Sequence, residues 1–246
     1  MTGRRVTWLG HSTTVIELDG VRLLTDPLLR WRVAHLRRVG PAPAVPQAVD
    51  AVLISHGHLD HLDLGSLRRL PRGSTAIAPR GLGKLLESRG FQVHEVVEGE
   101  EVRVGAVTVR ATRAEHGGGK PLPGRSDAAV GYVAEASASV YFAGDTDLFD
   151  GMDGLVPALD LALLPVWGWG PSIGPGHLDP GRAAKALTLL RPRFAVPVHW
   201  GTYRPFYVSG HADFLTNPLE SFLTAAARVA PQVAVRVLEP GDSLEI

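Results

Sequence analysis

The stretch Ile54-Ser-His-Gly-His-Leu-Asp-His61 places three histidines and one aspartate side by side, directly after the apolar run Ala51-Val-Leu-Ile. That run has the length and character of a buried strand. A lone histidine is usually satisfied by one hydrogen bond, but four such side chains at a strand end are costly to bury without partners. Because imidazole and carboxylate groups bind Zn, Mn or Fe, the stretch predicts a metal site.

The same stretch predicts two ions rather than one. Asp60 and His61 are adjacent, so they are poorly placed to share a single ion with both His56 and His58. So short a segment cannot fill two coordination shells, and further ligands are expected at other strand ends. Three candidates each follow an apolar run, namely His116, Asp145 and His199. The full set would serve two ions with one shared carboxylate and open positions for solvent.

Composition narrows the class of protein. The chain has 246 residues with 25 Lys+Arg and 25 Asp+Glu, and this balance gives no general reason to expect nucleic-acid or anionic-membrane binding. It has no cysteine, so nitrogen and oxygen must supply every metal ligand. We find no signal-peptide core and no apolar run long enough to span a bilayer. We therefore expect a cytoplasmic protein without stable membrane insertion, whose oligomeric state the sequence does not indicate.

The order of elements predicts one domain over residues 1–246. Each half runs from hairpins into strand–helix units, without a linker, which favours sheets covered by helices. Asp19-Gly20 between two apolar runs predicts a tight hairpin turn. Residues 30–48 show no period and are expected to form a long loop. Asp179 and Asn217, each followed by proline, are expected to cap two helices.

The sequence resembles the metallo-β-lactamase-fold hydrolases across essentially the whole chain. The resemblance rests on HGHLDH at 56–61, EH at 115–116, GDT at 144–146 and HWG at 199–201. It implies an α/β fold, a four-layer αββα sandwich of two mixed β-sheets. Three further segments look like the branch that contains N-acyl-phosphatidylethanolamine phospholipase D and the ascorbate-6-phosphate lactonase: WLGHSTTVIELDGVRLLTDP, GHLDP and PVHWGTY.

The resemblance also implies roles for individual residues. One ion would be held by His56, His58 and His116, the second by Asp60, His61 and His199, with Asp145 bridging them. Asp26 would lie beside the metals and support a ligand histidine; the alternative is a turn-former before a proline. His177 would face the substrate; the alternative is a loop residue ahead of the helix cap.

These residues predict a hydrolase. Two ions would share a hydroxide and polarise the substrate, and Asp60 or Asp145 would relay the proton. Zn is the expected metal, with Mn or Fe as alternatives. A small phosphodiester or related ester is the expected substrate; the alternatives are a lactonase acting on a sugar-phosphate-like lactone and a non-catalytic metal-dependent binding protein. A β-lactamase is disfavoured by the lack of an export signal, and a nuclease by the neutral charge.

Other candidate contacts carry weaker signals. Lys120 and Arg125, on the Gly/Pro-rich loop 117–127, would clamp an anionic group or belong to a solvated loop. Trp167 and Trp169 would stack on a substrate if exposed and belong to the core if buried. The 30–48 loop would cover the site, contact a partner or simply pack. His11 is expected to bond only the backbone.

Overall fold

The structure, a computed structural model, describes residues 3–117, 127–209 and 212–246. Within these ranges the strands are, in chain order, β1 (Arg5–Gly10), β2 (Thr13–Leu18), β3 (Val21–Thr25), β4 (Arg32–Val33), β5 (Leu36–Arg38), β6 (Ala51–Leu53), β7 (Thr75–Pro79), β8 (Gln92–Val96), β9 (Glu101–Val104), β10 (Val107–Arg113), β11 (Val130–Glu135), β12 (Ser139–Phe142), β13 (Leu161–Pro165), β14 (Phe194–Val198), β15 (Tyr203–Pro205), β16 (Ala234–Val235) and β17 (Ser243–Glu245). The helices are α1 (Leu64–Leu67), α2 (Gly83–Glu87), α3 (Pro180–Leu190) and α4 (Asn217–Val229).

Two mixed sheets form the body of the molecule. The first has the order β17-β1-β2-β3-β6-β7-β8 and the second the order β16-β14-β13-β12-β11-β10-β9. In each, antiparallel hairpins lead into parallel strands: β2 pairs antiparallel with β3, for example, and β3 parallel with β6. The predicted metallo-β-lactamase architecture of two mixed sheets with helices is confirmed.

Strand β6 shows how the layers pack. Ala51 and Leu53 belong to the core cluster between the sheets, whereas Val52 belongs to the cluster that includes residues of α1 and α2. Successive side chains of a strand point to opposite faces, so a strand in the middle layers must be apolar throughout. Each fully buried leucine of this kind stabilises the fold by about 1.5–3 kcal/mol. The chain leaves this anchored strand at Ile54 and enters the histidine-rich stretch.

The expected 30–48 loop is wrong in its first part. Strands β4 and β5 lie there and join β15 in a separate three-stranded antiparallel sheet. Val33, Leu36 and Tyr203 are buried together beneath that sheet. These strands have two or three residues each, which is too short for a period to show in the sequence.

The structure contains the predicted hairpin turn and the Asp179 cap but not the Asn217 cap. Asp19 and Gly20 have φ values of 49° and 86°, so both adopt the left-handed conformation expected for the hairpin. Asp179 caps α3 by accepting a bond of 2.8 Å from the backbone N–H of Arg182. The expected Asn217 cap is wrong, because the 3-10 helix Asp213–Leu215 leads directly into α4 and makes Asn217 its first helical residue. No helix within the described ranges is long and apolar enough to cross a membrane.

Candidate metal centre

The predicted ligands meet between the two sheets. The first sheet supplies the histidine-rich stretch, in the connection between β6 and α1. The second sheet supplies single residues after three of its strands: His116 after β10, Asp145 after β12 and His199 after β14. Donor atoms of all seven predicted ligands fall into overlapping groups whose members lie within 4.8 Å of one another.

His56, His58 and His116 form the first donor group. Nε2 of His116 lies 3.2 Å from Nδ1 of His58, and the His56 ring centroid lies 4.5 Å from each of the other two. Three imidazoles this close would repel one another if they were charged, and burial adds to the effect. Burial is the main cause that lowers the pKa of both His58 and His116; His116 and His61 lower the pKa of His58 further, and for His116 burial outweighs the opposing effect of Asp145. Neutral imidazole is the form that binds metal.

His61, His199 and Asp60 lie in the second donor group. Nε2 of His61 and Nε2 of His199 face each other at 3.0 Å. Oδ2 of Asp60 lies 3.7 Å from the first of these nitrogens and 3.6 Å from the second. Two ring nitrogens and a carboxylate oxygen therefore converge on one small volume, as three ligands of a tetrahedral metal do.

Asp145 lies between the two groups. Its Oδ2 is 3.1 Å from Nε2 of His61 and its Oδ1 is 3.4 Å from Nε2 of His199. It also shares a cluster with His116 of the first group. Burial alone would raise the pKa of this carboxyl, but His199 and His61 outweigh burial and hold the pKa well below its ordinary value. Asp145 is thus an anion that contacts the second group and lies within 4.8 Å of His116 in the first, which is consistent with the predicted bridging position.

Three of the five predicted ligand histidines are held through Nδ1 by an oxygen on the side away from the centre. His61 Nδ1 lies 2.7 Å from Asp26 Oδ2, His116 Nδ1 lies 2.9 Å from the Gly176 carbonyl, and His199 Nδ1 lies 2.8 Å from the Trp167 carbonyl. Each of these oxygens accepts a hydrogen bond from Nδ1–H, which favours the tautomer whose Nε2 carries a lone pair. These bonds direct Nε2 of each ring to the centre. At His61, burial lowers the pKa but Asp145, Asp60 and Asp26 outweigh burial and raise it well above the ordinary value, so an ion would displace the proton from Nε2.

Two buried atoms show that the residues fit a metal. Nε2 of His56 and Oδ1 of Asp145 are inaccessible to solvent and have no hydrogen-bond partner. A buried acceptor without a partner costs about 1–3 kcal/mol. Both atoms are metal-ligand types and both belong to the donor groups, so an ion would satisfy them together. The His/Asp cluster is capable of binding metal.

Asp26 is fully buried and supports two ligands. Its carboxylate accepts bonds from the Ser55 backbone N–H at 2.7 Å and from the Ser55 hydroxyl at 2.5 Å, besides the bond from His61. The Ser55 hydroxyl in turn lies 2.9 Å from Nδ1 of His56. One carboxylate thereby orients a histidine from each donor group, and its burial raises its own pKa.

His177 lies beside the centre, just before α3. Its Nε2 is 3.3 Å from Oδ2 of Asp145, and its ring packs edge-on against His116 with centroids 4.8 Å apart. Burial lowers the pKa of His177, but the hydrogen bond to Asp145, the Asp145 charge and the Pro175 and Gly174 carbonyls together outweigh burial and raise the pKa to about 9. His177 therefore reaches the centre but belongs to neither predicted ligand set.

A cavity of about 380 Å³ opens onto the two donor groups. Its wall includes His58, Asp60, Asp145, His177 and His199, together with Leu59, Trp169 and Ile173. The two candidate tryptophans thus differ: Trp169 faces the cavity, whereas Trp167 packs against the main core and donates its indole N–H to the Gly170 carbonyl. Lys120 and Arg125 lie outside the described residues.

Sequence reasoning missed two histidines at the site. The expectation that His11 only bonds the backbone is wrong, because its Nε2 lies 3.0 Å from Oδ2 of Asp60 in the second donor group. His35 lines the cavity and packs edge-on against Trp169 at 4.7 Å. His11 directly follows β1, which is the same signal that the predicted ligands carry, whereas His35 comes just after β4, a strand of two residues that is too short to show an apolar run. The glycine at position 10 is a further signal in the sequence, and in the structure its φ of 107° marks a sharp turn at the end of β1.

Comparison with known proteins identifies the family. Residues 21–200 match the Beta-lactamase superfamily domain. A UPF0173 metal-dependent hydrolase of Methanopyrus kandleri is 32% identical over 98% of this chain and 99% of that protein. N-acyl-phosphatidylethanolamine-hydrolyzing phospholipase D 1 of Caenorhabditis elegans is 29% identical over 82% of this chain and 65% of its own length. The solved structure of Igni18, a metallo hydrolase of Ignicoccus hospitalis, superimposes with a TM-score of 0.72 at 25% identity, covering 98% of this chain and 97% of that one.

The chain therefore belongs to the metallo-β-lactamase superfamily and, within it, to the metal-dependent hydrolases. Its relatives include the phospholipase D group that the sequence motifs resemble.

Proposed function

We propose that the protein is a dinuclear hydrolase that cleaves a small anionic phosphodiester or a related ester. The observation that carries the proposal is Asp145, a buried anion that contacts His61 and His199 of the second donor group and lies within 4.8 Å of His116 in the first. His56, His58 and His116 would hold one ion, and Asp60, His61 and His199 the other. When bound, two divalent ions lower the pKa of water to about 7, polarise the substrate and offset charge on both the attacking and leaving oxygens. Zn is the expected metal, because imidazole and carboxylate ligands suit it.

The protein's own residues would bind the substrate and move its protons. The cavity wall offers Leu59, Trp169 and Ile173 to an apolar or cyclic part of the substrate. His177 borders the same cavity and is held by the Gly174 and Pro175 carbonyls, each 3.1 Å from Nδ1. That arrangement directs Nε2 to the centre, where it would give a proton to the leaving oxygen.

The carboxylates would divide the remaining work. Asp60 is partly exposed to the cavity and is suited to receive a proton from the attacking water. Asp26 has no exposure, and its oxygens are occupied by Ser55 and His61, so it would position ligands without touching the substrate. We also propose that the chain forms a single hydrolase domain and that the protein is cytoplasmic.

The preference for a phosphodiester rests on the paired donor groups and on the likeness to a phospholipase D. The test compares kcat/KM for bis-p-nitrophenyl phosphate with that for simple lactones, using metal-loaded protein and Asp145→Ala as the inactive reference. His94→Ala, which alters an exposed histidine of β8, is the matched control. Lactone turnover far above diester turnover would reverse the substrate assignment. Two bound ions without either activity would favour a binding protein.

A further inference from the structure

His11 is buried against the second donor group. It lies in the turn between β1 and β2 and is 1% exposed. Its Nε2 is 3.0 Å from Oδ2 of Asp60, and its ring packs on the His199 ring with centroids 3.9 Å apart. One side chain therefore contacts two of the proposed ligands of one ion.

The backbone is forced into an unusual conformation to place this ring. His11 has a φ of 54°, in the left-handed region that non-glycine residues rarely adopt. Such a conformation costs about 1–3 kcal/mol and persists only where its surroundings impose it. Here Gly10 precedes it at a register shift between β1 and β2, which turns the chain towards the centre.

Three hydrogen bonds hold the His11 backbone in place. Its carbonyl accepts from the Trp8 indole at 2.9 Å and from the His199 backbone N–H at 3.0 Å. Its own N–H donates to the Thr202 hydroxyl at 2.8 Å. The link to His199 is the most informative, because it ties the backbone of a proposed ligand to the residue that contacts Asp60.

We infer that His11 is a positioning residue of the second metal site, whose imidazole fixes the Asp60 carboxylate for metal binding. This inference rests on the proposed dinuclear function. A carboxylate has about four lone-pair sites, so one bond from His11 leaves others for an ion. Without that bond, Asp60 would keep its attachment to the chain but lose its fixed orientation. Partners of this kind set the affinity of a metal site without binding the ion.

The test measures the affinity of both ions, because a merely structural role would not act on one of them selectively. His11→Asn tolerates the left-handed backbone, but its side chain is too short to replace Nε2. His11→Gln places an amide N–H near the position of Nε2. Titration with Zn²⁺ against a competing chelator should show the second ion weakened about 10–100-fold in His11→Asn, with the first unchanged. His11→Gln should recover most of the loss, and His94→Ala should match the wild type.

Thr202→Val provides a second route that keeps the imidazole. It removes the acceptor of the His11 N–H, so it should weaken the same ion by a smaller factor, and it carries the test alone if His11→Asn does not fold. Two results would overturn the inference: an unchanged second-site affinity in the folded variants, or complete loss of that ion in His11→Gln as in His11→Asn, which would make His11 a ligand. A wild-type protein that binds fewer than two ions would instead reject the proposed function.

Discussion

Asp26 and His61 form a fully buried pair in which the carboxylate Oδ2 accepts a hydrogen bond from Nδ1 across 2.7 Å. The opposite nitrogen of the same ring lies 3.0 Å from Nε2 of His199 and 3.1 Å from Oδ2 of Asp145. The pair therefore joins the end of β3 to the centre of the site. It also explains why a histidine among so many others keeps one orientation.

Asp26→Asn should weaken metal binding at the second group. The amide that replaces one oxygen would present N–H to a group that is itself a donor, either the Ser55 N–H or His61 Nδ1–H. We expect about a 10–100-fold loss of affinity for the second ion. Chelator competition measures it, with Asp50→Asn, a surface carboxylate that bonds the Arg22 N–H, as the control. Unchanged affinity would show that the pair does not orient His61.

His199→Ala should empty the second group selectively. Removing Nε2 leaves Asp60 and His61 without their third partner, whereas the first group keeps all of its donors. Metal analysis of the purified variant should fall from two equivalents towards one. His94→Ala should retain both equivalents. Loss of both ions in the variant, or retention of both, would contradict the division into two groups.

His177→Ala should impair turnover without loss of metal. We expect kcat to fall by about 10²–10⁴-fold, the range for a lost acid or base. The ligands of both groups are anchored by other residues, so the metal content should equal that of the wild type. Steady-state kinetics together with metal analysis decide the matter. A variant that loses an ion would make His177 a ligand, and full activity would remove it from the mechanism.

Gly144→Ala should destabilise the fold through contact between the sheets. A Cβ at this position would lie 2.6 Å from the Ser55 Cβ, and the residue has a φ of 61°. Gly20→Ala is the matched control, because its φ is 86° but a Cβ there meets nothing within 4 Å. Backbone strain alone should cost the control about 1–2 kcal/mol. In Gly144→Ala the clash should add about 1–3 kcal/mol to the loss in free energy of unfolding, measured by urea denaturation. Equal losses in the two variants would mean that Ser55 moves aside without cost.

Removing the metals should lower thermal stability reversibly. A ligand that binds only the folded state stabilises it by about 2.7 kcal/mol at a free concentration of 100 times Kd. Chelator treatment should therefore lower Tm, and returning Zn²⁺ should restore it. His199→Ala should show a smaller shift than the wild type, since one group is incomplete. A Tm that is indifferent to the chelator would indicate that no ion binds the folded protein tightly.

The sequence predicts the fold through the resemblance of its motifs to a known family, and it predicts much of the site because the ligands follow strand ends. An apolar run followed at once by a ligand-type side chain locates His116, Asp145 and His199, and parallel strands of one sheet bring such ends together. The spacing within HGHLDH adds the prediction of two ions rather than one. These signals are local along the chain, so they can be read without knowledge of tertiary contacts.

The features that escaped prediction depend on contacts distant in the chain. His11 reaches Asp60 only because β1 and β2 place their turn over the site. Strand β5 forms by pairing with β15, far along the chain, and β4 pairs in turn with β5. Trp167 and Trp169 differ in environment because the backbone after β13 has no regular structure there, and such a segment leaves no periodic pattern in the sequence. Asn217 does not cap α4 because a 3-10 helix precedes it, and residue preferences alone do not predict this local arrangement.

The placement of the ligands on two sheets has a consequence for biosynthesis. A ribosome makes the chain from its N-terminus at about 5–20 residues per second, so the HGHLDH segment emerges several seconds before His199. The first sheet also lacks one of its edge strands until β17 is made, because β17 pairs with β1. A nascent chain thus carries exposed histidines but no finished centre. Stable metal loading of the proposed second group would therefore follow the synthesis of His199, and a bound ion there would mark a chain whose two sheets have already met.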